Sequence, residues 1–177
     1  MKETERPGIV WEGYNGEDRG DAESMMNKLE ELQTQAPDST GRLQQEMESY
    51  ALLDRLGIEY AWLYHEQKNT IADCRDLDAL LEIELCKNLF LATKARDRFY
   101  LLMMPGEKKF VTKDVSRQLK SSRLEFAEGC YLESLLNVTP GSVSVLGLMY
   151  DAEHRVTLAI DREVLQHPYI GCHHCIN

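Results

Sequence analysis

The sequence predicts an α+β fold: a mixed, largely antiparallel β-sheet flanked by helices. Three observations carry this. Short apolar runs of strand length stand side by side, at KNLFLAT (87–93) and RFYLLMM (98–104), with only the charged turn KARD between them. Helix-periodic stretches lie before and after these runs, so helices and adjacent strands are mixed along the chain. The chain has 177 residues, 43% apolar and 28% charged, which suits one full hydrophobic core or one domain with an appendage.

Taken in order, residues 1–38 read as an acidic extension, Gly-rich early and then helical over DAESMMNKLEELQTQ (21–35), closed by the loop residues APDSTG. Residues 39–177 read as the main domain. RLQQEMESYALLDRLGI (42–58) places Leu43, Met47, Tyr50, Leu53 and Leu56 on one helical face, with Gly57 as the left-handed stop. IEYAWLYH (58–65) reads as a strand, and DLDALLEI (76–83) as a short helix capped by Asp76. The hairpin follows, then the turn PGEKK (105–109), a helix from Thr112 through Leu119, and a short strand RLEFA (123–127). YLESLLNV (131–138) reads as one or two helical turns. TPGSVSVLGLMY (139–150) reads as a turn and then an apolar strand whose glycines allow a close approach. RVTLAIDREVL (155–165) reads as a strand running into a short helix.

Bulk features exclude several classes. No window approaches the run of about 18 apolar residues that a membrane span needs, and the N-terminus has no apolar h-region of a secretory signal. Five cysteines at scattered positions do not form a disulfide framework, so a reducing, cytoplasmic setting is expected. Net charge is −10, yet residues 87–123 carry 10 basic against 3 acidic side chains. Such a block can face phosphates while the acidic remainder repels non-specific polyanions; solvated surface is its plainer reading.

Three stretches have chemical potential. GCHHC (171–175) has the C-x-x-C spacing of a metal knuckle, but no second knuckle accompanies it, and its cysteines read better as small apolar fillers; no metal and no cofactor is expected. A Cys/His nucleophilic pair has no spacing to support it. Lys87-Asn88 stands at the mouth of an apolar strand, where Lys can hold an anion and Asn can orient a carbonyl or hydroxyl; a strand-end Lys reaching to solvent is an equal alternative. In TPGSV (139–143), the backbone N–H groups around Gly141-Ser142 suit an anion nest or an oxyanion hole, against the commoner reading of an ordinary turn.

These pieces, LLDRLGIEY, CKNLFL, FYLLMMPGEKKF, SRLEFA, LLNVTPGSVSVLGLM, RVTLAIDREVL and IGCH, occur in the order of the YbaK-like, prolyl-tRNA-synthetase-associated domain. From about residue 43 onward the chain resembles this family, most closely its free-standing ProX-type members. The resemblance implies a YbaK-like fold and a trans-editing aminoacyl-tRNA deacylase that hydrolyses the ester of mischarged tRNA(Pro), with alanine favoured as the amino acid. It implies Lys87 as the essential lysine, Asn88 as a substrate-positioning residue, and Gly141 and Ser142 as the carbonyl-holding turn. His173, Val145, Leu146, Gly147 and Tyr150 would line the substrate pocket. Lys94, Arg96, Arg98, Lys108, Lys109 and Lys113 would meet the tRNA backbone. Mischarged tRNA(Pro) is the implied partner, with prolyl-tRNA synthetase a second candidate.

The chain departs from the family pattern at Val145, where many members have Pro, at Tyr150, where Asn is expected, and at His174, where Pro is usual. It also stops at Cys-Ile-Asn, where relatives continue with a final strand and helix, an apparent truncation. A non-catalytic tRNA- or synthetase-binding module of the same fold is the alternative reading.

Overall fold

A computed structural model of the chain describes residues 33–62, 84–172 and 175. The chain divides into two units, Met1–Glu31 and Leu32–Asn177, and every element below belongs to the second. The helix expected over 76–83, most of the one expected over 21–35, and His65, His173 and His174 lie outside the described residues.

Helix α1 spans Gln44–Leu56 and stops where the sequence says it should: Gly57 sits at φ 65°, and Ile58 N–H reaches back to Leu53 O at 3.0 Å. Its inner face differs from the expected leucine stripe. Glu46, Ser49 and Tyr50 are buried, while Leu43 and Leu56 are each 59% exposed. Leu43 is the extended N-cap rather than part of the helix, so the stripe loses its first member. Tyr50 instead packs against Tyr60 and Trp62, with ring centroids 5.6 and 5.7 Å away. The buried Glu46 carboxylate is tolerated because Arg42, one turn earlier, pairs with it. Of the strand expected over 58–65, the described part forms only an isolated antiparallel bridge, Trp62 to Gln33.

The sheet has five strands: β1 (Glu84–Thr93), β2 (Phe99–Pro105), β3 (Leu124–Phe126), β4 (Val156–Ile160) and β5 (Ile170–Gly171). The order is β3-β1-β2-β4, with β5 paired to the start of β1. The β1–β2 hairpin forms as expected, antiparallel from Cys86↔Pro105 to Ala92↔Phe99. β3 is also antiparallel to β1, whereas β4 runs parallel to β2 and β5 parallel to β1. The parallel return to β4 is possible because two helices and β3 intervene after β2, enough chain for a crossover. β2 is buried along its whole length, which explains its unbroken apolar sequence FYLLMMP.

Each face of the sheet carries its own core. On one face Phe90, Ala92, Phe99 and Leu101 pack with Leu132, Leu135 and Leu136 of a helix here called α3 (Gly129–Leu136). On the other, Leu91, Tyr100, Leu102 and Leu124 pack with Val115 and Leu119 from α2 (Thr112–Gln118) and its end. The alternation of side chains along β1 sorts the two sets.

The apolar strand expected in 139–150 is a 3₁₀ helix over Val145–Tyr150. Ser144 is its N-cap, its Oγ accepting from Leu146 N–H at 3.2 Å. Gly147 presses on α3: a Cβ there would lie 3.0 Å from Leu136 O and 3.2 Å from Leu136 Cβ. The glycine does allow a close approach, but of a helix. Asp151 then starts β4 by accepting from Arg155 N–H (3.0 Å) and Val156 N–H (2.7 Å).

Candidate functional site

Lys87 and Asn88 are adjacent on β1, so the pleat sends their side chains to opposite faces. The Lys87 ammonium donates to Gly106 O (3.0 Å) and to Lys108 O, in the turn that follows β2. That turn is itself anchored, since Lys108 Nζ lies 2.8 Å from both Asp161 and Glu163 beyond β4. An ammonium has three N–H donors, and two of Lys87's are taken by carbonyls.

Asn88 faces the 139–144 loop. Its Nδ2 donates to Val143 O at 3.1 Å, while its Oδ1 is enclosed and has no partner among the described residues. An enclosed amide oxygen without a donor costs roughly 1–3 kcal/mol, and such a group in a folded chain calls for an explanation.

The loop is a tight turn. Ser142 N–H donates to Thr139 O at 3.1 Å, and Gly141 stands at φ 99°, a left-handed backbone that a side chain would strain. The fully buried Ser142 hydroxyl donates to Thr139 O (3.0 Å) and accepts from Thr139 N–H (3.2 Å). Both polar groups of Ser142 are therefore spent on holding the turn. The Gly141 N–H has no acceptor among the described residues.

Beside this pair lies a largely apolar pocket of about 320 Å³, whose walls include Met103, Val145, Ile160, Val164, His167 and Ile170. The sheet register ties it to Asn88: Asn88 is the direct cross-strand partner of Met103, and Met103 that of Ile160. Directly opposed residues share a face, so the three form one row across β1, β2 and β4.

Among the described residues expected in the pocket, Val145 alone lines it. Leu146 is buried in the core, and Gly147 faces α3. Tyr150 donates its hydroxyl to Glu48 of α1. Burial, followed by that carboxylate, pushes the phenol up to about 12, while the Tyr150 hydroxyl and the Gln44 amide hold Glu48 below the usual carboxylate range. Tyr150→Phe is expected to cost about 0.5–1.5 kcal/mol of stability, the net worth of one such hydrogen bond, readable as a lower urea midpoint; an unchanged midpoint would mean the bond contributes nothing. Met103 and Ile160 were missed by sequence reading, because no spacing announces residues that meet only through strand pairing.

Cys172 and Cys175 pack into the core that holds Leu132, Leu136 and Val138. Burial raises the Cys172 thiol to about 11, only partly opposed by a hydrogen bond with Ser144. Because the folded value lies above the ordinary 9.0, this thiol's contribution to stability is whole below about pH 9 and is lost as pH rises through about 11. Unfolding midpoints measured across that window should fall, and Cys172→Ala should flatten the fall; an identical slope in the variant would sink the assignment.

The basic block is partly consumed internally. Arg96 forms a two-pronged pair with Glu128 and a longer one with Glu125, and Lys108 is held by Asp161 and Glu163. Lys94, Arg98, Lys109 and Lys113 are exposed or nearly so, with no ion pair among the described residues. No helix among the described residues is long and apolar enough to cross a membrane.

A mixed sheet with helices on both faces, and a tight polar turn near a small apolar pocket, defines an α+β domain. Residues 65–177 match the aminoacyl-tRNA editing domain, and the chain belongs to that family. It is 33% identical over 137 residues to "Prolyl-tRNA synthetase associated domain-containing protein 1" of Danio rerio, covering 76% of this chain and 73% of the relative. It is 28% identical over 123 residues to the prolyl-tRNA editing protein ProX of Acetoanaerobium sticklandii, covering 70% and 75%. The crystal structure of the hypothetical protein APE2540 superposes with a TM-score of 0.56 at 19% identity, over 71% of this chain and 81% of the other, a likeness of fold.

Proposed function

We propose that the chain is a trans-editing hydrolase that cleaves the ester of mischarged tRNA(Pro), with alanine as the amino acid removed. The observation that supports this best is the partnerless Asn88 Oδ1 in the same row as the Met103 and Ile160 walls of the apolar pocket. An aminoacyl ester presents an α-amine one bond from the carbon that bears its side chain. With the amine donating to Asn88 Oδ1, a small apolar side chain enters the pocket and the scissile carbonyl lies toward the turn.

The Gly141 N–H would then stabilise the developing oxyanion as water attacks and the terminal ribose oxygen leaves with a proton. The last free donor of Lys87 would hold a phosphate of the tRNA end. Ser142 would act by keeping the turn in shape. Editing by a second site is needed because a synthetase pocket discriminates one methylene by only about 1–3 kcal/mol. Prolyl-tRNA synthetase is the natural second partner, in the cytoplasm where charging occurs.

The test is hydrolysis of Ala-tRNA(Pro) beside Pro-tRNA(Pro), with wild type and Lys87→Ala. Selective loss of the alanyl ester, abolished in the variant, is the expected result. Decay of both esters at the rate in buffer would reject the enzyme reading in favour of a binding module.

A further inference from the structure

Lys108 belongs to the basic block expected at the tRNA backbone, yet its surroundings suit a different task. Its Nζ lies 2.8 Å from both Asp161 Oδ2 and Glu163 Oε1, the latter 55 residues away along the chain. Asp161 first, then Glu163, hold this ammonium above the usual lysine range, so the cluster stays charged at neutral pH. Two carboxylates around one ammonium leave it negative overall, and a negative cluster repels phosphates rather than gathering them. Partly exposed ion pairs also add little to stability. What the cluster does is join two pieces of the site.

On one side it holds the turn after β2. Lys108 O accepts from the Lys87 ammonium, and Gly106 O accepts a second of its N–H groups at 3.0 Å. The turn closes on itself through Lys108 N–H to Pro105 O at 3.1 Å, next to Lys87, whose cross-strand partner is Met104. A lysine head on its long flexible stem would otherwise sample many directions. With two of its three donors fixed by carbonyls, the third has one direction left. The place of the turn therefore sets the aim of Lys87.

On the other side the cluster holds the chain just past β4. Asp161 N–H donates to Met103 O at 2.9 Å, and Asp161 O accepts from Val164 N–H at 3.1 Å. Its Oδ1 accepts from Glu163 N–H at 3.1 Å, which leaves Oδ2 for Lys108. Ile160 and Val164, the residues on either side of this acidic segment, are walls of the pocket. One lysine side chain thus ties the seat of Lys87 to the segment that builds the pocket.

We infer that Lys108 is a positioning residue: clamped by Asp161 and Glu163, it fixes the turn carbonyls that aim the remaining N–H of Lys87 at the 3′ end of the tRNA, at a set distance from the pocket. This rests on the editing function proposed above. Direct contact of Lys108 with a phosphate is the competing role. Neutralising the two carboxylates separates them, because it frees Lys108 for a phosphate but loosens the seat of Lys87.

The experiment is direct binding of uncharged tRNA(Pro) transcript by wild type and by Asp161→Asn/Glu163→Gln, each also made in a Lys87→Ala background. The paired substitution removes two negative charges with almost no change of shape, so electrostatics alone would tighten binding by the same factor in both backgrounds. Positioning makes its effect depend on Lys87. Relative to its effect in the Lys87→Ala background, the substitution should weaken binding by about threefold or more when Lys87 is present, the signature of neighbours acting through one another. Equal effects in the two backgrounds would overturn the clamp, as would absence of binding by the wild type. A second pair of variants reads the same point from the lysine. Lys108→Arg, whose fork can meet both carboxylates, should bind within about twofold of wild type, and Lys108→Met should show the same dependence on Lys87 as the carboxylate variant. Hydrolysis of Ala-tRNA(Pro) by the wild type reads the editing function separately. Hydrolysis with equal effects in both backgrounds leaves the enzyme and removes the clamp; dependence on Lys87 without hydrolysis does the reverse.

Discussion

Asn88→Leu is expected to lower hydrolysis of the alanyl ester between about tenfold and a hundredfold while leaving stability within about 1 kcal/mol of wild type. The activity loss follows from removing a hydrogen bond to a charged or strongly polar substrate group, worth about 1.5–3 kcal/mol, at 1.36 kcal/mol per decade of rate. The stability result follows from two opposed terms. Leucine loses the 3.1 Å bond to Val143 O, but it also removes the enclosed Oδ1 that has no partner in the protein. Because shape is nearly kept, the two roughly offset each other. Kinetics on Ala-tRNA(Pro) and a urea melt decide the matter together. Full activity would show that Oδ1 meets no substrate group. A large drop in stability with it would show that Asn88 is there for the fold alone.

Gly147→Ala is expected to destabilise the domain by about 1–3 kcal/mol, the usual cost of forcing atoms into a packed interior. The added methyl would meet a backbone oxygen, Leu136 O, at 3.0 Å, besides Leu136 Cβ at 3.2 Å and Val138 Cγ1 at 3.4 Å. The oxygen cannot swing aside as a flexible side chain would, because it belongs to the last turn of α3. Relief must come from moving the 3₁₀ helix, and Val145 at its start is a wall of the pocket. The variant should therefore lose stability and also raise KM for the alanyl ester. A destabilised variant with unchanged KM would mean that the pocket wall is positioned independently of α3, and an unchanged midpoint would mean the contact gives way freely.

Much of the architecture was legible in the sequence because it is written in local terms. The period-two and apolar runs at 87–93 and 98–104, with a charged turn between, define the β1–β2 hairpin, and Gly57 ends α1 through its left-handed backbone. Pro140-Gly141 specifies a turn, which closes from Ser142 N–H to Thr139 O. The miss at 145–150 is also physical. VLGLMY is apolar enough for a strand, but Ser144 caps it as a helix and Gly147 lets α3 come within touching distance. A short apolar run looks the same in either state until its neighbour is known.

By itself, then, the sequence determined the α+β class, the hairpin, the turn, the ends of helices and the family resemblance, since each depends on residues close together in the chain. Tertiary structure alone decided which groups share a place. Pleating put Lys87 and Asn88 on opposite faces, so that Asn88 meets the turn while Lys87 meets Gly106 O and Lys108 O. Strand pairing set Met103 and Ile160 in line with Asn88. Ion pairing withdrew Arg96 and Lys108 from the basic block. A charge or an amide has its chemistry from its residue type, but its availability depends on what the fold sets against it, and contacts between residues far apart in the chain carry no local signature.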